Sequence, residues 1–156
     1  MYYTDLSLYR YLQSTEDPPQ LNVGWLDRDH AYPQGEAPEG FLERLWAFCR
    51  EQVNLTRGVH ECELCSEPTF GVRVQRGDEE LWFGSAEIRV FSNEGVTYAA
   101  PNLIYHYVVD HHYLPPEEFI RAVLEGPLPD SPEYLARAGQ FEWGRKAARE
   151  RRLRKQ

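Results

Sequence analysis

The feature that most constrains the fold of this chain is a set of metal-binding residue types in two distant pairs. The first pair is Cys62 and Cys65, and the second is His106 and His111. A C-x-x-C on a tight turn directs two thiolates at one ion, and two histidines separated by three to five residues complete a tetrahedral zinc site. The 40 residues between the pairs exceed the gap of a DNA-reading zinc finger. We therefore predict a zinc ion that pins a turn to a distant helix.

The spacing of the two histidines sets a condition on the helix that carries them. Positions 106 and 111 lie about 140° apart around an ideal helix. Both rings can reach one ion only if the helix ends or tightens near Asp110. The Pro115-Pro116 pair follows closely and favours an early end.

The number of protein ligands decides between a structural and a catalytic metal. Four protein ligands make a closed, structural site, whereas three leave a position for water and allow a zinc-dependent hydrolase. His60 and His112 are alternative ligands for either histidine, and His30 lies far from both pairs. Two thiolates make the ion a poor Lewis acid, so we favour the structural site. A redox pair of Cys62 and Cys65 is the second alternative.

The third cysteine and the chain's hydropathy bear on its compartment. Cys49 lies in FLERLWAFCREQV, where apolar residues recur at helical spacing, so we interpret it as a small buried hydrophobe. Three cysteines do not make a disulfide scaffold. The N-terminus has no basic, apolar leader, and no apolar run approaches the ~20 residues that cross a bilayer. We expect a cytoplasmic protein without a membrane partner.

Alternation of apolar and polar residues predicts β-structure from Phe70 to Ala99. FGVRVQR, ELWFG, EIRVF and VTYAA are typical of strands, and turn residues between them indicate an antiparallel β-meander. Helical patterns flank the meander, at about 39–53, 102–111, 117–125 and from Ser131 into the C-terminus. The predicted class is α+β, with flanking helices, in a single domain.

Charge divides the chain into an acidic body, residues 1–144, and a basic tail, residues 145–156. The tail holds seven of the 17 Lys and Arg and one of the 25 Asp and Glu, so its charge is +6 and that of the body is −14. No linker or repeat interrupts the body, which we expect to be the α+β domain, and the tail is predicted to be helical. An acidic body repels phosphate backbones. The charge therefore favours a basic protein partner and disfavours nucleic acid except through the tail.

Motifs of the common catalytic centres are missing. The sequence contains no G-x-S-x-G, no Gly-rich phosphate loop and no H-E-x-x-H. Glu61, Glu63 and Glu67 flank the cysteine pair and could act as a base, but acidic residues at such positions are ordinarily solvated. These observations favour a protein that is not an enzyme.

Several long strings of the chain carry a resemblance to other proteins. They include NLTRGVHECELC and TYAAPNLIYHYVVDHHYLPPEEFIRAV. Within them, H-x-C-x-x-C begins at His60, and H-Y-V-x-x-H-x-Y-x-P-P-x-x-F runs from His106 to Phe119. On these motifs, residues 3–125 resemble a widespread family of uncharacterised bacterial proteins, a domain of unknown function. The resemblance implies a bacterial source and a recurring unit, and it implies no activity.

The combined prediction is a bacterial zinc-binding protein whose metal is structural. Its ligands are Cys62, Cys65, His106 and His111. We expect a non-enzymatic interaction protein, an immunity-like or regulatory module that binds a basic partner. The zinc-dependent hydrolase and the C-x-x-C thiol redox protein stay as alternatives.

Overall fold

A computed structural model describes all residues, 1–156, as one α+β domain with five helices and two small sheets, which confirms the predicted fold class. The strands are β1 (Leu21–Asn22), β2 (Val72–Arg76), β3 (Glu79–Phe83), β4 (Glu87–Phe91) and β5 (Thr97–Pro101). The helices are α1 (Phe41–Arg50), α2 (Ile104–His111), α3 (Glu117–Glu125), α4 (Pro132–Ala138) and α5 (Glu142–Arg154).

The four predicted antiparallel strands form two hairpins, which belong to separate sheets rather than to one continuous meander. β2 pairs with β3, β4 pairs with β5, and β3 does not pair with β4. The division occurs at Gly84, whose φ of 127° is open to glycine. Its N–H donates to Asn102 Oδ1 at 2.9 Å, and its carbonyl accepts from the His60 N–H at 2.7 Å. These bonds direct the backbone away from the β4 ladder and toward the cysteine segment.

The N-terminal residues form an extended arm that widens the second sheet. β1 lies parallel to β5, and the preceding residues join by isolated bridges from Tyr3 to Trp25 and from Leu8 to Leu21. The rings of Tyr3, Tyr9 and Tyr11 surround the Trp25 indole. The tyrosines that crowd the N-terminus therefore anchor the arm to the domain.

The core lies between β4, β5 and the helices. Every residue of β4 and β5 is buried, and α1 and α3 pack against β4. α3 matches its predicted range because EEFIRAVLE places Phe119, Ala122 and Val123 on one face, with acidic residues in the first turn. Trp46 of α1 contacts the rings of Phe83 and Tyr105, which joins α1 to β3 and to α2.

The C-terminal helical pattern is divided into α4 and α5. Gly139 ends α4, and Phe141 is extended and buried, with its ring on Phe91. Trp143, in the first turn of α5, packs on the same ring. Most of the basic tail, residues 145–154, belongs to α5 and follows this buried first turn. None of the helices has the length and apolar character that crossing a membrane requires.

Candidate metal centre

The cysteine pair lies on a tight turn in the irregular segment between α1 and β2. Four backbone bonds attach this segment to the domain: Val53 and Glu87 exchange a pair, the Thr56 N–H donates to the Ser85 carbonyl, and the His60 N–H donates to the Gly84 carbonyl. The N–H groups of Leu64 and Cys65 donate to the Cys62 sulfur. This turn directs both sulfur atoms toward the end of α2.

The histidine pair lies on α2, and the end of the helix brings the two rings together. α2 ends at His111, because His112 is left-handed with φ of 55° and its N–H donates to the Tyr107 carbonyl. The next N–H, that of Tyr113, donates to the same carbonyl at 3.1 Å. An ending one residue beyond Asp110 meets the condition that the five-residue spacing set.

The structure brings the four predicted residues into one cluster. The distance from His106 Nε2 to Cys65 Sγ is 3.3 Å, and His111 Nε2 lies 3.4 Å from Cys62 Sγ and 3.5 Å from Cys65 Sγ. All four candidate ligand atoms lie within 4.8 Å of one another, close enough to bind one metal ion. In a tetrahedral zinc site, bonds of about 2.3 Å to sulfur and 2.0–2.1 Å to nitrogen separate these atoms by about 3.5 Å. The three sulfur–nitrogen distances are close to this separation.

Asp110 orients one of the imidazoles. Its Oδ2 lies 2.7 Å from His106 Nδ1, which leaves Nε2 of the same ring toward the sulfur of Cys65. A carboxylate behind a histidine fixes the tautomer and orientation of a metal ligand. In the sequence, the only signal of this role is the spacing of four residues after His106, which places both side chains on one helix face.

The cluster is only partly open to solvent. Cys62 and His106 are 2% and 5% exposed, whereas Cys65 and His111 are half-buried. Burial raises the pKa of the Cys62 thiol to about 11, although the backbone hydrogen bonds that its sulfur accepts act to lower it. Burial and then the His106 charge lower the pKa of His111. A raised thiol pKa is opposite to the low-pKa thiolate of a redox cysteine, and thiol protons must leave when a metal binds.

The other histidines lie outside the cluster. His60 and His112, the alternative ligands, are both exposed. His30 lies 2.7 Å from Asp27 and stacks on the Tyr2 ring. His106 and His111 are therefore the histidines beside the two thiols, and the alternatives His60 and His112 are not.

The acidic residues near the cysteines contact a neighbouring cavity instead of the cluster. Glu61, Glu63 and Tyr107 line a cavity of about 260 Å³, and none of the four clustered residues lines it. Glu67 is exposed and lies outside the cluster. None of the three glutamates therefore belongs to the candidate ligand cluster.

Comparison with known proteins relates most of the chain to one family. A family model described as "Domain of unknown function (DUF7919)" matches residues 1–124, from the N-terminal arm through most of α3. The matched range contains both candidate ligand pairs and agrees with the range of the resemblance. No curated protein and no solved structure matches the chain. Since the family model covers more than half of its length, the chain belongs to the DUF7919 family.

Proposed function

We propose that this chain binds one zinc ion through Cys62, Cys65, His106 and His111, and that the zinc is structural. The observation that carries the proposal is the spacing of the donor atoms, with three sulfur–nitrogen distances of 3.3 to 3.5 Å. Two sulfur and two imidazole donors at tetrahedral spacing suit zinc. The ion would fasten the irregular segment after α1 to the C-terminal end of α2.

A closed donor set supports a structural role over hydrolysis. Four protein ligands fill a tetrahedral zinc and leave no position for water. Two thiolates donate charge to the ion and weaken it as a Lewis acid. None of the four donors lines the cavity beside the cluster, so a molecule bound in that cavity would not contact them.

We propose further that the domain is a non-enzymatic interaction protein, of an immunity-like or regulatory kind, that binds a basic partner in the bacterial cytoplasm. The charge of −14 on residues 1–144 supports a basic partner. Three free cysteines support a reducing compartment. The basic residues of α5 are the only part of the chain suited to nucleic acid.

Elemental analysis of the purified protein tests the metal site. We expect one zinc per chain in the natural protein and none in Cys62→Ser. Loss of the ion should lower the unfolding midpoint on the order of 10 °C, because zinc stabilises only the folded chain. The matched control is Cys49→Ala, since Cys49 is also buried but lies on α1 outside the cluster, and it should keep its zinc.

Absence of zinc from the natural protein, or retention of zinc by Cys62→Ser, would overturn the proposal. X-ray absorption spectroscopy of the zinc form separates the structural site from the hydrolase. Two sulfur and two nitrogen ligands support the closed site, whereas a bound water in place of one histidine would support the hydrolase.

A further inference from the structure

A groove of about 520 Å³ lies between α4, α5 and the residues that follow α1. This volume is within the range of ~300–1,000 Å³ that is usual for small-molecule sites. Of the residues that line the groove, only Glu51 and Val53 belong to the matched family region, and the others lie beyond residue 124. None of the four candidate metal ligands lines it. The groove is therefore a separate feature of the C-terminal helices.

The floor of the groove is apolar. Four buried residues form it: Val53, Tyr134, Ala138 and Trp143. Leu135 of α4, which is 44% exposed, adds an apolar wall. The opposite wall is α5, which presents Gly144, Ala147 and Ala148 at the three- and four-residue spacing of one helix face. Because these three residues have no side-chain atom beyond Cβ, α5 leaves the space beside α4 unfilled.

Trp143 supplies the floor with an unused hydrogen-bond donor. The residue is 6% exposed, and its ring stacks on those of Phe91 and Phe141. Its indole N–H has no acceptor within the chain. A buried donor without an acceptor is costly. The floor therefore favours a ligand that carries an acceptor group over one that is wholly apolar.

The rim of the groove is basic, in contrast to the acidic body of the chain. Five cationic side chains line it: Arg145, Arg149, Arg151, Arg152 and Lys155. Glu51 is the one acidic residue there, and its Oε2 lies 3.1 Å from Nη2 of Arg151. Five positive charges and one negative charge leave +4 at the rim. The side chains of Arg149, Arg152 and Lys155 are exposed and form no ion pair within the chain, so they are available to an anion.

We infer that this groove binds a small organic anion with an apolar or aromatic body. The body covers the floor between α4 and α5, and the acidic group accepts charge-assisted hydrogen bonds from the arginine and lysine side chains of the rim. A neutral apolar molecule would use only the floor, and an inorganic anion would use only the rim. The inference is independent of the zinc proposal, and it concerns a surface of opposite charge to the one proposed for a basic partner.

Fluorescence titration of the full chain with two matched probes tests the inference. Anilinonaphthalene sulfonate has an aromatic body and a negative charge, whereas phenylnaphthylamine has the same body without the sulfonate. We expect one sulfonate probe to bind per chain, at least about tenfold more tightly than the neutral probe, the difference expected of hydrogen bonds to a charged group. Its affinity should fall as salt screens the rim. Sodium sulfate should displace it no better than sodium chloride at equal ionic strength.

Two double variants with the same loss of charge locate the binding. Arg149→Gln/Lys155→Gln removes two side chains of the rim, whereas Lys146→Gln/Arg154→Gln removes one lysine and one arginine of the same region that do not line the groove. All four side chains are exposed, so the fold does not depend on them. The rim variant should weaken binding of the sulfonate probe at least about threefold and leave that of the neutral probe unchanged, whereas the control variant should bind both probes like the natural protein.

A third variant tests the floor. Leu135→Glu replaces an exposed apolar wall with a negative charge, and it should weaken binding of both probes. No binding of the sulfonate probe, equal binding of the two probes, or displacement by sulfate alone would overturn the inference. Equal effects of the rim and control variants, or unchanged affinity in Leu135→Glu, would also overturn it, because the probe would then bind elsewhere.

Discussion

Asp110 illustrates how one exposed residue can control a buried site. Its side chain is 56% exposed, yet Oδ2 lies 2.7 Å from Nδ1 of His106, a ring that is nearly inaccessible. The bond determines which nitrogen of the imidazole is left to face Cys65. Because the carboxylate itself is solvated, its removal should affect the metal ligand more than the stability of the fold.

We predict that Asp110→Asn weakens zinc binding about 10- to 100-fold, the usual cost of removing such a partner, while one zinc per chain still binds at saturation. The amide is a poorer acceptor for the His106 N–H and stabilises the metal-bound imidazole less. Competition with a chromophoric chelator measures the affinity. Asp130→Asn, an equally conservative change at an exposed residue beyond α3, is the control. Identical affinities in both variants would contradict the assigned role.

The candidate metal ligands could be identified from the sequence, whereas the residues around them could not. Cysteine and histidine are uncommon and their spacing reflects coordination geometry, so Cys62, Cys65, His106 and His111 emerge from the sequence alone. Asp110 does not, because an aspartate four residues after a histidine is common on exposed helices. Glu87 and Arg89 are missed for another reason: strand alternation predicts that they face solvent, but the arm and the C-terminal helices cover that face.

At the scale of elements, the contact between α4 and α5 depends on the absence of one side chain. Gly144, in the first turn of α5, is buried against the end of α4, where a Cβ would overlap the carbonyl oxygen of Ala138. Gly139, at the end of α4, has right-handed φ and ψ, and a Cβ there would meet only ordinary contacts. The two glycines therefore have different requirements within five residues of sequence.

We predict opposite effects of the same substitution at these positions. Gly144→Ala should destabilise the protein by about 1–3 kcal/mol, because α5 must move away from α4. Gly139→Ala should be neutral or stabilise it by up to about 1 kcal/mol through lower entropy of the unfolded chain. Urea unfolding measures both changes in the free energy of unfolding. Equal stability of the two variants would show that the helices do not pack this closely.

Helix positions could be predicted where capping and periodicity agree, and not where packing overrides them. EEFIRAVLE is a helix over its predicted range because proline, acidic first-turn residues and a single apolar face act together. The pattern from residue 131 predicts one continuous helix, yet the chain breaks at 139–141 so that Phe141 and Trp143 can both reach Phe91. Such a break depends on a distant strand, which local sequence does not describe.

At the scale of the whole molecule, the opposite charges of body and tail determine which macromolecules can approach. We predict that at low ionic strength the chain binds an Arg-rich peptide, because residues 1–144 carry −14. A single-stranded oligonucleotide should bind only through the tail. Fluorescence anisotropy measures both, and each affinity should fall as salt screens the charges.

The variant Arg152→Gln/Arg154→Gln separates the two surfaces, because both side chains are exposed on α5 and neither forms an ion pair within the chain. It should weaken oligonucleotide binding and flatten its salt dependence, because two of the seven basic charges of the tail are lost, and it should keep peptide binding. An oligonucleotide affinity equal to that of the natural protein would contradict binding through the tail.

Helix α4 lies outside the matched family region and donates hydrogen bonds to the backbone of β4 and of the residue that follows it. On the side of β4 away from β5, the Tyr134 hydroxyl donates to the Arg89 carbonyl at 2.8 Å; in the turn just after β4, Arg137 donates to the Ser92 carbonyl at 2.6 Å. Both donors lie beyond residue 124, where the family match ends. An open strand edge invites pairing with another chain and then aggregation. The C-terminal helices therefore cover part of the free edge of β4 and hinder its pairing with a strand of another chain.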